Sequence, residues 1–491
     1  MSRTKQKNIT REIFIGHDGQ LELLDKSLEQ EVIENSEVEC LGLAFPNNDE
    51  RRKHFLAILA EKLKDPEFRK IEGFPIGSDE DILALSDPPY YTACPNPFIT
   101  DFIKFYGKPY DPSKPYSREP FAADVSEGKN DAVYVFHTYH TKVPYKAIMR
   151  YILHYTQPGD IVFDGFGGTG MTSIAAQSCS DTQLVKDLGF NNYGARTPIT
   201  SELSTIGGFI SGTLNSAKID EHEIKKFETL LQEVEKKYGW VYETRRQKDG
   251  KPARINYVVW SECYICGNCG SEIIYYRDSV GKTGSSLGND LQCSNCKVVV
   301  PKRTLERSFI TAFDPVLNKA IKQVKYIPSL INFSVGSKRG VKIPDSFDEE
   351  IMTKVLNYKV SNWLPADTIP QIERYYKDGL HIINITHTHQ FYTKRNLLCA
   401  SELWATLNNN MQRLIFTSFC DRHIIKRNRW LSTGPTRPLN NTLYFPPLFA
   451  EVNVFAIAER KAKDLRKALS VTRRQPRVAA STTQSSTDLN Q

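Results

Sequence analysis

Three short stretches of this sequence carry residue types whose spacing could do chemistry. Cys266, Cys269, Cys293 and Cys296 form two Cys-x-x-Cys pairs among ten cysteines. Four thiolates at this spacing make a closed tetrahedral zinc site, and with no open coordination position the metal would be structural. Free cysteines or disulfides are the alternative, and a reducing compartment disfavours disulfides. Cys263 is left over.

The second stretch is Asp164-Gly165-Phe166-Gly167-Gly168-Thr169-Gly170, directly after the apolar run Ile161-Val162-Phe163. It also satisfies GxGxxG, which alone is a weak dinucleotide signal. Three features point instead to S-adenosylmethionine. Asp164 stands at the end of the apolar run, and Phe166, Gly168 and Gly170 set an FxGxG phase. The next strand-end acid, Glu202, lies well past the roughly 20 residues that a dinucleotide fold uses. The methyl donor has no phosphate to seat, so the glycines would let the backbone approach its amino-acid and ribose portions. Asp164 would face the positive amino and sulfonium end, Glu202 would accept from the ribose hydroxyls, and Phe166 would cover the cofactor. An NAD-linked enzyme and a plain tight turn remain alternatives.

The third stretch is Asp87-Pro88-Pro89-Tyr90. Methyl transfer to an exocyclic amino group needs a weakly nucleophilic nitrogen to be oriented and relieved of a proton. The Asp87 carboxylate and the Pro88 carbonyl could accept the two amino hydrogens, with Pro88 and Pro89 holding that carbonyl rigid. Tyr90 offers a face for a base flipped out of a duplex. A Pro-Pro surface turn is the bland alternative.

The elements that must position these residues can be read coarsely. Helical apolar spacing across His54 to Ala60 suggests a helix before the first motif. The stretch from Pro88 to Pro120, rich in Pro, Tyr and Phe, reads as extended and aromatic-lined. Pro144 opens a helix through Leu153, and Pro158-Gly159 ends it. A buried strand over 160–164, the glycine loop, a helix from Met171 to Gln177 and a second strand over 193–200 then follow, which is the start of a parallel α/β sheet. Residues 220–238 read as a charged amphipathic helix acting as a spacer. A further helix is expected around Leu397 to Leu407, and the Ser/Thr/Gln-rich end from Ala479 reads as disordered.

With these residues in view, the chain resembles bacterial DNA methyltransferases of the N-4/N-6 amino type over about residues 71–215. The likeness rests on Asp87 to Phe98 (DPPYYTACPNPF), His140 to Pro144 (HTKVP), Pro158 to Thr172 (PGDIVFDGFGGTGMT) and Ser201 to Ser204 (SELS). It implies that Asp87, Pro88, Pro89 and Tyr90 are the catalytic tetrapeptide. Asp164, Phe166, Gly168 and Gly170 would be the donor loop and Glu202 the ribose acid. The tetrapeptide precedes the loop, as in the permuted beta-like order. Asp rather than Ser before Pro-Pro-Tyr favours adenine over cytosine. Two departures from the family pattern open a second reading. Tyr90 to Gln157 is short for the elements that usually separate the two motifs, and larger methylases similar to this chain carry a second Asp-Pro-Pro motif after a segment like Ser481 to Leu489. The chain would then be a truncated or split half that is catalytically incomplete, completed by a complementary methylase subunit.

The expected architecture is therefore α/β: a Rossmann-like S-adenosylmethionine-dependent methyltransferase sheet with an inserted zinc ribbon and an α+β C-terminal region. Its parts would be an N-terminal helical region (1–70), the methyltransferase motifs (71–220), the helical spacer (221–259), the ribbon (260–300), a C-terminal region with basic segments (301–470) and a disordered tail (471–491). At 491 residues, two or three folded units are expected. A formal charge of +7 is modest for this size. Its distribution matters more, because basic residues gather in Arg422 to Arg429 and from Arg460 to Arg474, where they could neutralise phosphates of double-stranded DNA. No apolar run approaches a membrane span, and the basic N-terminus lacks the apolar stretch of a signal peptide, so a cytoplasmic protein without a membrane partner is expected. His137, His140, His387 and His389 lack clustered carboxylates or cysteines and read as hydrogen-bonded structural residues. A role in restriction-modification or in regulation is left open.

Overall fold

The computed structural model describes residues 37–122, 124–139, 142–216, 221–280, 288–472 and 480–483. The described chain opens with a hairpin, β1 (Val38–Cys40) and β2 (Leu43–Phe45), and helix α1 (Asn48–Lys62). Asn47 caps α1 by accepting from the Glu50 N–H, and Asp49 and Glu50 complement the positive end of the helix. Along α1, Arg51, Phe55 and Leu59 recur at every fourth position and are all buried. A charged residue thus occupies the apolar stripe.

Next come α2 (Asp79–Leu85), β3 (Tyr91–Thr92) and α3 (Ile99–Tyr106). The stretch 88–120 is therefore not extended throughout. Between Pro97 and Gly107 no proline interrupts the backbone, and burial of Phe102 against Ile199 gives α3 its docking face. Helix α4 (Tyr145–Tyr155) leads into β4 (Ile161–Asp164), the glycine loop, α5 (Met171–Ser178), β5 (Thr197–Glu202) and α6 (Thr205–Leu214).

These strands form a parallel four-stranded sheet with one member from the far end of the chain. Its order is β3, β9, β5, β4, where β9 is Ala480–Thr483. The expected disordered tail thus contributes a central strand, paired to β3 on one side and β5 on the other. Short polar runs such as Ala-Ser-Thr-Thr carry little strand signal of their own, and the pairing of both edges supplies what propensity does not. The remaining residues of that tail lie outside the described residues. Strand β4 was expected to be buried, yet it pairs only with β5 among the described residues and Phe163 is 52% exposed. It is the sheet edge.

Helix α7 (Glu221–Tyr238) is not a free spacer. Its stripe of Ile224, Phe227, Leu231, Val234 and Tyr238 is buried in the same core as α4, α5 and α6. That core continues into a mixed second half built on the 14-residue strand β6 (Pro252–Ile265), which pairs antiparallel with β7 (Tyr326–Val335). Helices α8 (Lys394–Thr406) and α9 (Asn410–Cys420), strand β8 (Leu448–Val452) and helix α10 (Val454–Thr472) complete it. The segment Phe391 to Leu397 is a structural hub. Thr393 caps α8, Arg395 forms a buried ion pair with Glu451 at 2.5 Å, and Asn396 Nδ2 donates to the Ile424 and Val452 carbonyls. No described helix is long and apolar enough to cross a membrane.

Candidate donor loop, acceptor hairpin and metal centre

The glycine loop leaves the C-terminal end of β4, beside the end of β5. Asp164 organises it from within: Oδ1 accepts from the Phe166 N–H at 2.9 Å and Oδ2 from Thr172 Oγ1 at 2.6 Å. Glu202, at the end of β5, accepts from the Gly168 N–H at 2.8 Å and the Ser204 N–H at 2.9 Å. The expected loop acid and ribose acid are thus brought to adjacent strand ends. A carboxylate offers about four acceptor positions, so each retains capacity for a ligand. Phe166, 83% exposed, stands out from the loop.

The glycines have separate reasons. Gly170, at φ +75°, begins α5 so close to α6 that a Cβ would meet Ser211 Oγ at 2.4 Å. Gly168, at φ +51°, runs beneath the Tyr139 ring. Both are left-handed positions where a side chain is strained. Tyr139 was missed in the sequence, and so was Thr172, although a hydroxyl one helical turn into the element after the loop is a signal that could have found it. Burial is the main influence raising the Tyr139 phenol pKa.

Asp87 to Tyr90 forms a different structure. Asp87 and Tyr91 exchange both backbone hydrogen bonds, at 2.9 and 3.0 Å, so the tetrapeptide is the tip of a tight hairpin closed by a cis Pro88–Pro89 bond. Several of its acceptors are engaged, while Asp87 Oδ2 receives no hydrogen bond among the described residues. The Arg51 guanidinium, 1% exposed, donates Nη2 to Asp87 Oδ1 at 2.6 Å and Nη1 to the Pro88 carbonyl, while Nε is held by Asn48 Oδ1 at 2.6 Å. Asn96 Nδ2 donates to the Pro89 carbonyl at 2.9 Å. Arg51 also lies over the Tyr90 ring, 4.9 Å from its centroid. Burial first, and then a hydrogen bond with Cys40, raises the Tyr90 phenol pKa.

The structure does not bring hairpin and loop together. Tyr91 is level with Ser481, Thr200 and Asp164 across the sheet. Asp87 pairs with Tyr91 on the hairpin side, so four interstrand steps of about 4.8 Å separate it from Asp164, about 19 Å in all.

Cys266, Cys269, Cys293 and Cys296 do converge, with their Sγ atoms all within 4.8 Å of one another. Cys266 and Cys296 are 3.7 Å apart, and Cys269 and Cys293 are 3.6 Å apart. A tetrahedron with Zn–S bonds of about 2.3 Å has edges of about 3.8 Å, so the donor set fits zinc. Each pair sits in a tight knuckle: Gly270 N–H donates to the Cys266 carbonyl and Lys297 N–H to that of Cys293. Cys263, the spare, is buried and lies outside the cluster. Of the histidines set aside as structural, His389 Nε2 pairs with Asp314 at 2.8 Å, and His137 contacts Thr417 Oγ1 at 3.2 Å. His140 lies outside the described residues.

Residues 83–183 match the family model described as DNA methylase, of the N-4/N-6 class. No curated protein and no solved structure matches the chain. The matched segment holds the hairpin, the glycine loop and α5, and it ends before Glu202. Over that segment, about a fifth of its length, the chain is similar to the N-4/N-6 DNA methylase family.

Proposed function

We propose that the chain binds S-adenosylmethionine at the loop Asp164 to Gly170 and serves methyl transfer to an exocyclic amino group of double-stranded DNA, adenine in preference to cytosine. The observation that carries this reading is the pairing of Glu202 with the Gly168 N–H across adjacent parallel strand ends. In that seat Glu202 accepts from the ribose hydroxyls, Asp164 faces the cationic end, Gly168 and Gly170 let the backbone approach, and Phe166 closes over the ligand. When bound, the cofactor supplies the electrophilic methyl group. Calorimetry with S-adenosylmethionine and with NAD tests this seat: folded protein that binds only the second, or neither, would end the reading.

The acceptor side admits two assignments. In the first, Asp87 and the Pro88 carbonyl receive the target amino group beside Tyr90, which requires Arg51 to leave both acceptors. In the second, the chain is the cofactor- and DNA-binding half of a methylase, and a complementary subunit supplies the acceptor carboxylate on a strand added to the open edge of β4. The Arg51 contacts and the β4 edge, which has no second partner among the described residues, favour the second. Incubating the chain with duplex DNA and labelled cofactor decides between them. Turnover by the chain alone, lost in Asp87→Asn, supports the first assignment, and no turnover despite cofactor binding supports the second.

The four cysteines are proposed to hold one structural zinc in a ribbon that fixes the end of β6. Metal analysis should return one zinc per chain, and Cys266→Ser should lose it together with several kcal/mol of stability, on the order of what structural zinc contributes.

A further inference from the structure

The basic segment Arg422 to Arg429 is not a solvated helix face. It follows the end of α9 and, with residues 438–443 and Arg374, encloses a hollow of about 380 Å³. Three guanidinium groups line this hollow, those of Arg374, Arg422 and Arg427, together with the Asp421 carboxylate, whose field acts on Arg427. Arg374 is paired with Asp378 at 3.6 Å. Arg422 and Arg427 form no ion pair among the described residues. Arg422 Nη1 donates to Asn440 Oδ1 at 3.3 Å. Arg427 Nη2 donates to the Thr442 and Leu439 carbonyls, while its Nε is buried with no acceptor among the described residues. Two guanidinium groups without an ion pair, Arg422 and Arg427, face one lining carboxylate, so the hollow keeps a net positive charge that suits an anion.

The surroundings add to the same field. Behind the hollow lies buried His423. Burial first, and then the cations Lys461, Arg460, Arg437 and Arg422, hold its imidazole down to about 3. Arg437 from the loop and Arg460 from α10 likewise form no ion pair among the described residues. Arg437 and Arg460 therefore add positive charge near Arg422, with Asp464 beside Arg460. The guanidinium fork suits phosphate oxygens better than an ammonium does.

We propose that this hollow seats a phosphodiester of the DNA backbone, with Arg422 and Arg427 as donors and Arg437 and Arg460 continuing the track. The assignment rests on the DNA-methylase reading. It names where the duplex is gripped outside the donor loop.

The test is fluorescence anisotropy of the full chain with a labelled duplex across a salt series, native against the double variant Arg422→Gln/Arg427→Gln. Each neutralised phosphate contributes about 0.9 to the slope of log affinity against log salt, so losing the one seated in the hollow should lower the slope by about 0.9. Unchanged S-adenosylmethionine binding by calorimetry shows that the variant is folded. An unchanged slope with sound native binding overturns the hollow alone, whereas a native chain that ignores duplex overturns the DNA reading with it. Inorganic phosphate at matched ionic strength should displace duplex no better than chloride. Strong displacement by phosphate would assign the hollow to the free anion and overturn the proposal.

Discussion

The Asp-Pro-Pro-Tyr hairpin and the glycine loop are both short motifs at the ends of strands in one sheet, yet they stand in opposite chemical conditions. In the hairpin, one oxygen of Asp87 and the Pro88 and Pro89 carbonyls are held by Arg51 and Asn96, and Arg51 is buried. In the loop, Asp164 accepts from the Phe166 N–H and Thr172, Glu202 from the Gly168 and Ser204 N–H groups with the Tyr139 hydroxyl as a further partner, and Phe166 projects into solvent. Arg51 presents to the hairpin the same hydrogen-bond donors that an exocyclic amino group would. A motif that names a chemistry is thus not a site until its acceptors are free and its partner motif is within reach.

The largest effect that separates the two regions is on stability. Asp87→Ala leaves the buried Arg51 guanidinium without its carboxylate and should cost about 3–5 kcal/mol in urea unfolding. S-adenosylmethionine affinity should be unchanged. The double variant Arg51→Met/Asp87→Leu should recover most of the loss, because an apolar pair of similar volume replaces a buried ion pair at little cost. If Asp87→Ala instead keeps native stability and abolishes methyl transfer, the hairpin is an acceptor site and the contrast disappears.

At the loop the order of effects is reversed. Glu202→Ala strands the Gly168 N–H and removes the ribose acceptor, so calorimetry should show S-adenosylmethionine binding weakened by about 2–3 kcal/mol. Native affinity in that variant would remove Glu202 from the seat. Thr172→Val takes one donor from Asp164 and should weaken binding by about 1 kcal/mol, checked by the same titration. Phe166→Ala is the mildest. With the side chain so exposed, unfolding should move by no more than about 0.5 kcal/mol, while cofactor affinity falls several-fold. A large stability loss there would mean that Phe166 packs in the fold rather than over a ligand.

Much of the local structure was legible because it rests on short-range rules. Pro144, Pro158-Gly159 and the glycine loop bracket α4, β4 and α5 at nearly their observed bounds. The two Cys-x-x-Cys pairs identified the only group of four converging cysteines among the described residues. Other features were hidden for identifiable reasons. Arg51 lies 36 residues from Asp87, and nothing local links them. The one clue was its place on the Phe55 and Leu59 stripe, where a charge is out of pattern. The helix α3 was masked by prolines on either side of it. The charged surface of α7 suggested a solvent-exposed spacer, whereas its apolar stripe is as long as the helix and buries against α10 and α8.

The sequence by itself located the glycine loop and the four converging cysteines, because Asp164 to Gly170 and the two Cys-x-x-Cys pairs are contiguous or nearly so. Only the tertiary structure decided the sheet order. It placed Ala480–Thr483 between the hairpin strand and the loop's neighbouring strand, leaving β4 at the edge among the described residues. Strand pairing is a contact between distant segments, set by which edges remain to be satisfied once the chain collapses, and no local pattern in Ala-Ser-Thr-Thr encodes it.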